Sequence, residues 1–155
     1  MCESDALQKY SLFGGLDKEQ LAFMATLLKE KQYAPGEVIL KEGELNSKVY
    51  FIKAGAVEID KLRCGEAETA GCTSTHIADL EVGDTFGEME LIDIQPCIAT
   101  ATASGEVSVL TLSNVDLYAL RKKDMKAFTL VIMNLARDIS RRLRVMDSRF
   151  SGAVE

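Results

Sequence analysis

Pro35-Gly36 divides this chain into two textures, because no regular element runs through that dipeptide. Proline lacks a backbone donor and glycine favours turn geometry, so helical character stops there. Before the break, L-D-K-E-Q-L-A-F-M-A-T-L-L-K-E-K places Leu21, Met24, Leu27 and Leu28 at helical spacing, with Asp17 as the N-cap. Gly14 and Gly15 separate that helix from a shorter amphipathic piece ending at Phe13. After the break the chain reads as short strands: E-V-I-L-K, the turn E-G-E-L-N-S, K-V-Y-F-I-K, the turn A-G, and A-V-E-I-D-K. Val49, Phe51, Val57 and Ile59 alternate with outward residues, the pattern of half-buried antiparallel strands. Leu62 to Ser74 is small, polar and glycine-bearing, and reads as the tip of a long hairpin. H-I-A-D-L-E-V-G-D-T-F turns at Gly83-Asp84, and I-A-T-A-T-A and V-S-V-L-T-L close the series around Gly105. Short strands so regularly punctuated predict a barrel or roll.

The last quarter is helical again. Ser113 is placed to cap N-V-D-L-Y-A-L-R-K-K, and a long helix follows Asp124. Its apolar residues Phe128, Ile132, Leu135, Ile139, Leu143 and Met146 recur every three or four positions, widened by Val131 and Ala136. A stripe of this length exceeds what a small roll covers, so the helix is expected to pair with a second copy of the chain.

The totals narrow the function classes. With 155 residues, 47% hydrophobic and 27% charged, the chain suits one ordinary domain. A net charge of −6 argues against a nucleic-acid footprint. Arg137, Arg141, Arg142, Arg144 and Arg149 have no interleaved aromatic residues, and read as a solvated helix face. No long uncharged apolar run offers a membrane span, and the N-terminus lacks the pattern of a secretory signal. The expected location is the cytoplasm. There, Cys2, Cys64, Cys72 and Cys97, with no C-x-x-C among them, are expected as free thiols. Cys64, Cys72 and the one histidine, His76, match no usual zinc spacing, so no metal is expected. No nucleophile stands beside a local base, and no enzyme activity is expected.

The stretch F-G-E-M-E-L-I-D-I-Q-P-C-I-A-T-A-T-A reads as a glycine-led turn, one helical turn and a strand after Pro96. Such a turn is suited to an anion, yet it carries three acids and no cation. With L-F-G-G-L-D-K-E-Q-L, Y-A-P-G-E-V-I-L-K-E-G-E, V-Y-F-I-K-A-G-A-V-E-I and L-E-V-G-D-T-F-G-E-M-E-L in order, the chain resembles the cyclic-nucleotide-binding domain family over nearly its whole length. The resemblance implies an α+β fold: an antiparallel β-roll, a jelly-roll-like double-stranded β-helix, flanked by N-terminal helices and a long C-terminal helix. It implies a single domain over 1–155. That domain would have a helical lead-in to about 33, the roll over 34–112 with its cassette at 83–102, and helices over 113–148.

The family cassette is commonly F-G-E-L-A-L, a few variable residues, then P-R-A-A or P-R-T-A. In it glycine admits the ligand, helix N–H groups meet the cyclic phosphate, glutamate accepts the ribose 2′-hydroxyl, and arginine forks onto the phosphate. By resemblance the candidate ligand site is Phe86, Gly87, Glu88, Met89, Glu90, Leu91, Cys97, Ile98 and Ala99. Phe86, Gly87, Glu88, Leu91, Pro96 and Ala99 match the pattern. Cys97 replaces the arginine and Glu90 replaces a small alanine, so binding of cAMP or cGMP is expected to be weak or lost. Cys97 reads as a small apolar residue, with an acidic redox thiol as the competing reading. The family's C-terminal helix acts as a lid, which offers Arg141, Arg142 and Arg144 as replacement cations.

The expected function is a non-catalytic regulatory module that dimerises through its last helix. The alternative is the sensor half of a catabolite-activator-type transcription regulator. Those regulators continue into a helix-turn-helix domain, whereas only S-R-F-S-G-A-V-E follows here, so DNA reading by this chain alone is not expected.

Overall fold

Asp17 starts the first long helix with a reciprocal cap. Its carboxylate accepts from the Gln20 N–H at 2.8 Å, and the Gln20 side-chain oxygen accepts from the Asp17 N–H at 3.0 Å. The computed structural model describes residues 3–65 and 71–152, so Cys2 lies outside the described residues. The chain clusters into two compact units. One runs to Leu27 and resumes at Val115; the other is Leu28–Asn114.

The first unit holds α1 (Glu3–Ala6), two 3₁₀ turns (Leu7–Lys9 and Ser11–Phe13), α2 (Lys18–Leu27), most of α4 (Asn114–Lys123) and α5 (Met125–Ser151). Asp124 caps α5 by accepting from the Ala127 N–H at 2.9 Å, and its other oxygen accepts from the Gln20 amide at 2.9 Å. The face of α5 that is buried is Ala127, Val131, Asn134 and Leu135. Of the expected stripe Leu135 is buried, Phe128, Ile132 and Ile139 are half-buried, and Ala136, read as widening it, is exposed. Asn134 belongs to the buried face because its amide donates to the carbonyls of Leu12 and Gly14, at 3.1 and 2.8 Å, and its oxygen accepts from Arg137. Beyond Ile139 the helix is exposed throughout, including Leu143, Val145, Met146 and Phe150. Among the described residues no helix is long and apolar enough to cross a membrane.

The second unit is the expected antiparallel roll. Its strands are β1 (Lys29–Tyr33), β2 (Val38–Leu40), β3 (Lys48–Ala54), β4 (Val57–Cys64), β5 (Cys72–Leu80), β6 (Thr85–Phe86), β7 (Thr100–Ala103) and β8 (Val107–Ser113). A five-residue helix, α3 (Glu88–Ile92), interrupts them. The sheets run β1-β8-β3-β6 and β2-β7-β4-β5. Tyr33, Tyr50, Ile52, Val57, Phe86, Ala101, Ala103, Val107 and Val109 form their shared core.

Three local expectations change. Lys29–Tyr33 was read as the end of the first helix but is a strand, paired along its length with β8. As an edge strand with four exposed polar residues, it shows no apolar period of its own. β3 does not alternate: Val49, Tyr50, Phe51 and Ile52 are all buried, so both of its faces are covered. The hairpin also extends further than Leu62, since β4 and β5 pair out to Cys64↔Cys72. That register closes a disulfide between Cys64 and Cys72, with Cα atoms 4.0 Å apart, and overturns the expectation of free thiols for this pair. Strand register, invisible in an eight-residue spacing, is what sets them face to face.

On the same hairpin, His76 lies between Asp60 and Asp79, its two ring nitrogens each 3.2 Å from a carboxylate oxygen. Hydrogen bonding to Asp60 and then to Asp79 raises its pKa above the ordinary 6.5. Stabilisation from this pairing is complete below the unfolded-state value and is lost as pH rises through the elevated folded value. A proton NMR titration of this lone histidine should show a midpoint above 6.5, moving down in Asp60→Asn. An unshifted midpoint counts against the pairing.

Candidate functional site

Gly87 is the hinge on which the cassette turns. It sits at φ +78, in the left-handed region, between β6 and α3. A Cβ there would lie 2.9 Å from the Lys48 carbonyl oxygen and 3.1 Å from both the Asn46 amide and the Tyr50 ring. Space and backbone both require glycine. Just before it, Phe86 is buried and stacks on Tyr50, ring centroids 5.0 Å apart at 8°. Burial, with smaller contributions from Tyr33 and Cys97, pushes the Tyr50 phenol up to about 12. Tyr50 therefore stays neutral and serves as wall.

The acids of α3 separate by environment. Glu88 opens the helix and is only 4% exposed, whereas Glu90 is half-buried and Met89 is exposed. Leu91 and Ala99 are half-buried, and Ile98 is 54% exposed. A carboxylate held so deep at the start of the turn fits the acceptor role that the resemblance gives Glu88.

Cys97 is pinned from both sides. Its N–H donates to the Glu44 carbonyl at 2.8 Å, and its carbonyl accepts from the Gly43 N–H at 2.9 Å. Leu45 and Pro96 form a bridge beside it. The side chain is buried, and burial is the first cause of a raised thiol pKa; the charge of Glu90 and a hydrogen bond to it act in the same direction. A buried sulfur whose pKa is raised is a poor nucleophile, which favours the small apolar residue over the redox thiol. Where the resemblance calls for a cation, the structure holds a buried thiol, with Glu90 near enough for its charge to raise the thiol pKa.

Arg141, Arg142 and Arg144 are exposed on α5, in the helical unit, and Arg141 donates to Asp138 at 3.3 Å. Cys64 and Cys72 are bonded to each other and His76 to two aspartates; among the described residues no cluster suited to a metal occurs. Sequence reasoning missed Glu44 and Gly43, whose backbone fixes Cys97, because nothing in the turn E-G-E-L-N-S shows which strand it faces.

The profile of the cyclic nucleotide-binding domain matches residues 30–124, well over half of the chain. The chain belongs to the cyclic nucleotide-binding domain family. It is 31% identical over 136 residues to the cyclic AMP receptor protein of Thermus thermophilus, covering 88% of this chain and 58% of that protein. A cAMP-dependent protein kinase regulatory subunit from Blastocladiella emersonii is 29% identical over 104 residues, covering 67% of this chain and 24% of that protein. The crystal structure of the Thermus thermophilus catabolite activator protein superposes with a TM-score of 0.77 at 28% identity, over 91% of this chain and 62% of that one. The chain thus spans less than two thirds of these relatives. The α+β roll and the cyclic-nucleotide-binding resemblance both hold, and the domain belongs with regulatory rather than catalytic proteins.

Proposed function

We propose that this cyclic nucleotide-binding domain is a regulatory module whose cassette binds cAMP or cGMP only weakly, and which pairs with a second copy through α5. The first part is carried by the buried Cys97 side chain at the arginine position, with the charge of Glu90 nearby. A missing charged fork forfeits about 1.5–3 kcal/mol, which is roughly ten- to a hundred-fold or more in affinity. Glu90 adds a like charge near the phosphate position, and partial desolvation sharpens that repulsion. Calorimetric titration with both nucleotides tests this: micromolar dissociation would remove it and favour Arg141, Arg142 or Arg144 as the replacement cation.

Pairing is supported by the exposed Leu143, Met146 and Phe150 on the outer half of α5, spaced by three and four residues. A monomer in sedimentation velocity at all concentrations would remove it. The second reading, the sensor half of a transcription regulator, draws on the name of the Thermus thermophilus relative. The length of the native open reading frame tests that reading.

A further inference from the structure

The outer half of the β4–β5 hairpin depends on few contacts. β7 pairs with β4 only from Val57 to Asp60, so Lys61–Cys64 has β5 on one side and, among the described residues, no third strand on the other. Lys61, Leu62, Arg63 and Cys64, like Cys72, Thr73 and Ser74, are exposed. A two-stranded ribbon without a covered face is marginal in water. It is held by its ladder, by the Cys64–Cys72 bond, and by the Leu62 N–H, which donates to the Glu42 carboxylate at 2.8 Å. Glu42 thus closes the edge where β7 stops.

Glu42 also leads to the cassette. Its own N–H donates to the Thr100 hydroxyl at 3.0 Å, at the start of β7. The next two residues, Gly43 and Glu44, hold the backbone of Cys97. Hydrogen bonds, linked through the backbone of residues 42–44, therefore join the outer hairpin to the position where the family pattern places its phosphate-binding arginine. Both sulfur-bearing residues are accessible to small thiols, whereas Cys97 is buried.

We propose that Cys64 and Cys72 form a reversible redox clasp, oxidised by a low-molecular-weight disulfide, that braces the outer hairpin and, through Glu42, the segment carrying Cys97. In the closing step one thiolate of the pair attacks a sulfur of the small disulfide, forming a mixed disulfide and releasing one small thiolate. The facing thiolate attacks the protein sulfur of that mixed disulfide, and the second small thiolate leaves. Two electrons pass from the pair to the small disulfide, and the two cysteine protons end on the two small thiols released. Opening is the reverse reaction with two small thiols. Accessible, exchangeable disulfides are the regulatory kind. The clasp does not rest on the nucleotide reading, since its readouts use no ligand.

The test poises the full chain at a series of ratios of reduced to oxidised glutathione, then traps thiols by alkylation for peptide mass spectrometry. Cys64 and Cys72 should gain or lose their alkyl groups together as the ratio changes. Amide hydrogen exchange is then compared between the end states. On reduction, Leu62, Arg63, Thr73, Gly43 and Cys97 should exchange about tenfold faster, while β3 and β8 keep their protection. A Cys64→Ser/Cys72→Ser variant should show the fast pattern even in oxidised glutathione. The proposal is overturned if the pair stays reduced in oxidised glutathione alone or oxidised in reduced glutathione alone. Equal exchange in the two states overturns it too, as does a variant that still responds to glutathione.

Discussion

A chain carrying Cys97→Arg together with Glu90→Ala is expected to bind cAMP about 100-fold more tightly than the unaltered chain. The backbone at position 97 is already fixed by Gly43 and Glu44, so a longer side chain starts from a set position. Arginine there regains a forked, charge-assisted contact with phosphate, worth about 1.5–3 kcal/mol. Removing Glu90 lifts a negative charge from the same neighbourhood. Because the two positions are electrostatically coupled, their effects should not add. Cys97→Arg alone should gain far less, since the new guanidinium pairs with Glu90 before it meets a ligand. Calorimetry on the parent, both single variants and the double variant measures this. A double variant no tighter than the parent would show that the loss of affinity lies elsewhere in the domain.

Gly55→Ala should cost about 3 kcal/mol or more of stability, read from urea unfolding. Gly55 turns β3 into β4 at φ +86, where an L side chain costs about 1–2 kcal/mol. The added Cβ would also stand 2.3 Å from the Glu106 carbonyl oxygen and 3.0 Å from the Val107 Cα. Both are backbone atoms, so neither swings away, and Val107 is part of the inter-sheet core. Relief requires moving the start of β8, the strand that pairs with both β1 and β3. Gly105→Ala is the control: its added Cβ meets nothing within 4 Å, and its effect should stay within about 0.5 kcal/mol. Equal midpoints for the two variants would mean that the turn at Gly55 relaxes without strain.

Signals that act over a few residues were legible. Asp17 caps the helix it was read to cap, because a cap is a contact between neighbours three positions apart. The ordered family motifs lead to the β-roll, although the helical texture ends at Leu27, ahead of Pro35-Gly36. The departures from the cassette, Cys97 and Glu90, needed only a residue-by-residue comparison.

What the amino-acid order settled unaided was therefore the class of fold, its family, and which cassette positions depart from pattern, since each is written in short-range chemistry. Only the folded molecule decided that Lys29–Tyr33 is an edge strand, that β3 is covered on both faces, and that Asn134 sits on the buried side of its helix. It alone joined Cys64 to Cys72 and buried the Cys97 thiol within reach of the charge of Glu90. Each of those depends on partners or on a register chosen elsewhere in the chain, and a one-residue slip in a sheet would turn every side chain to the opposite face.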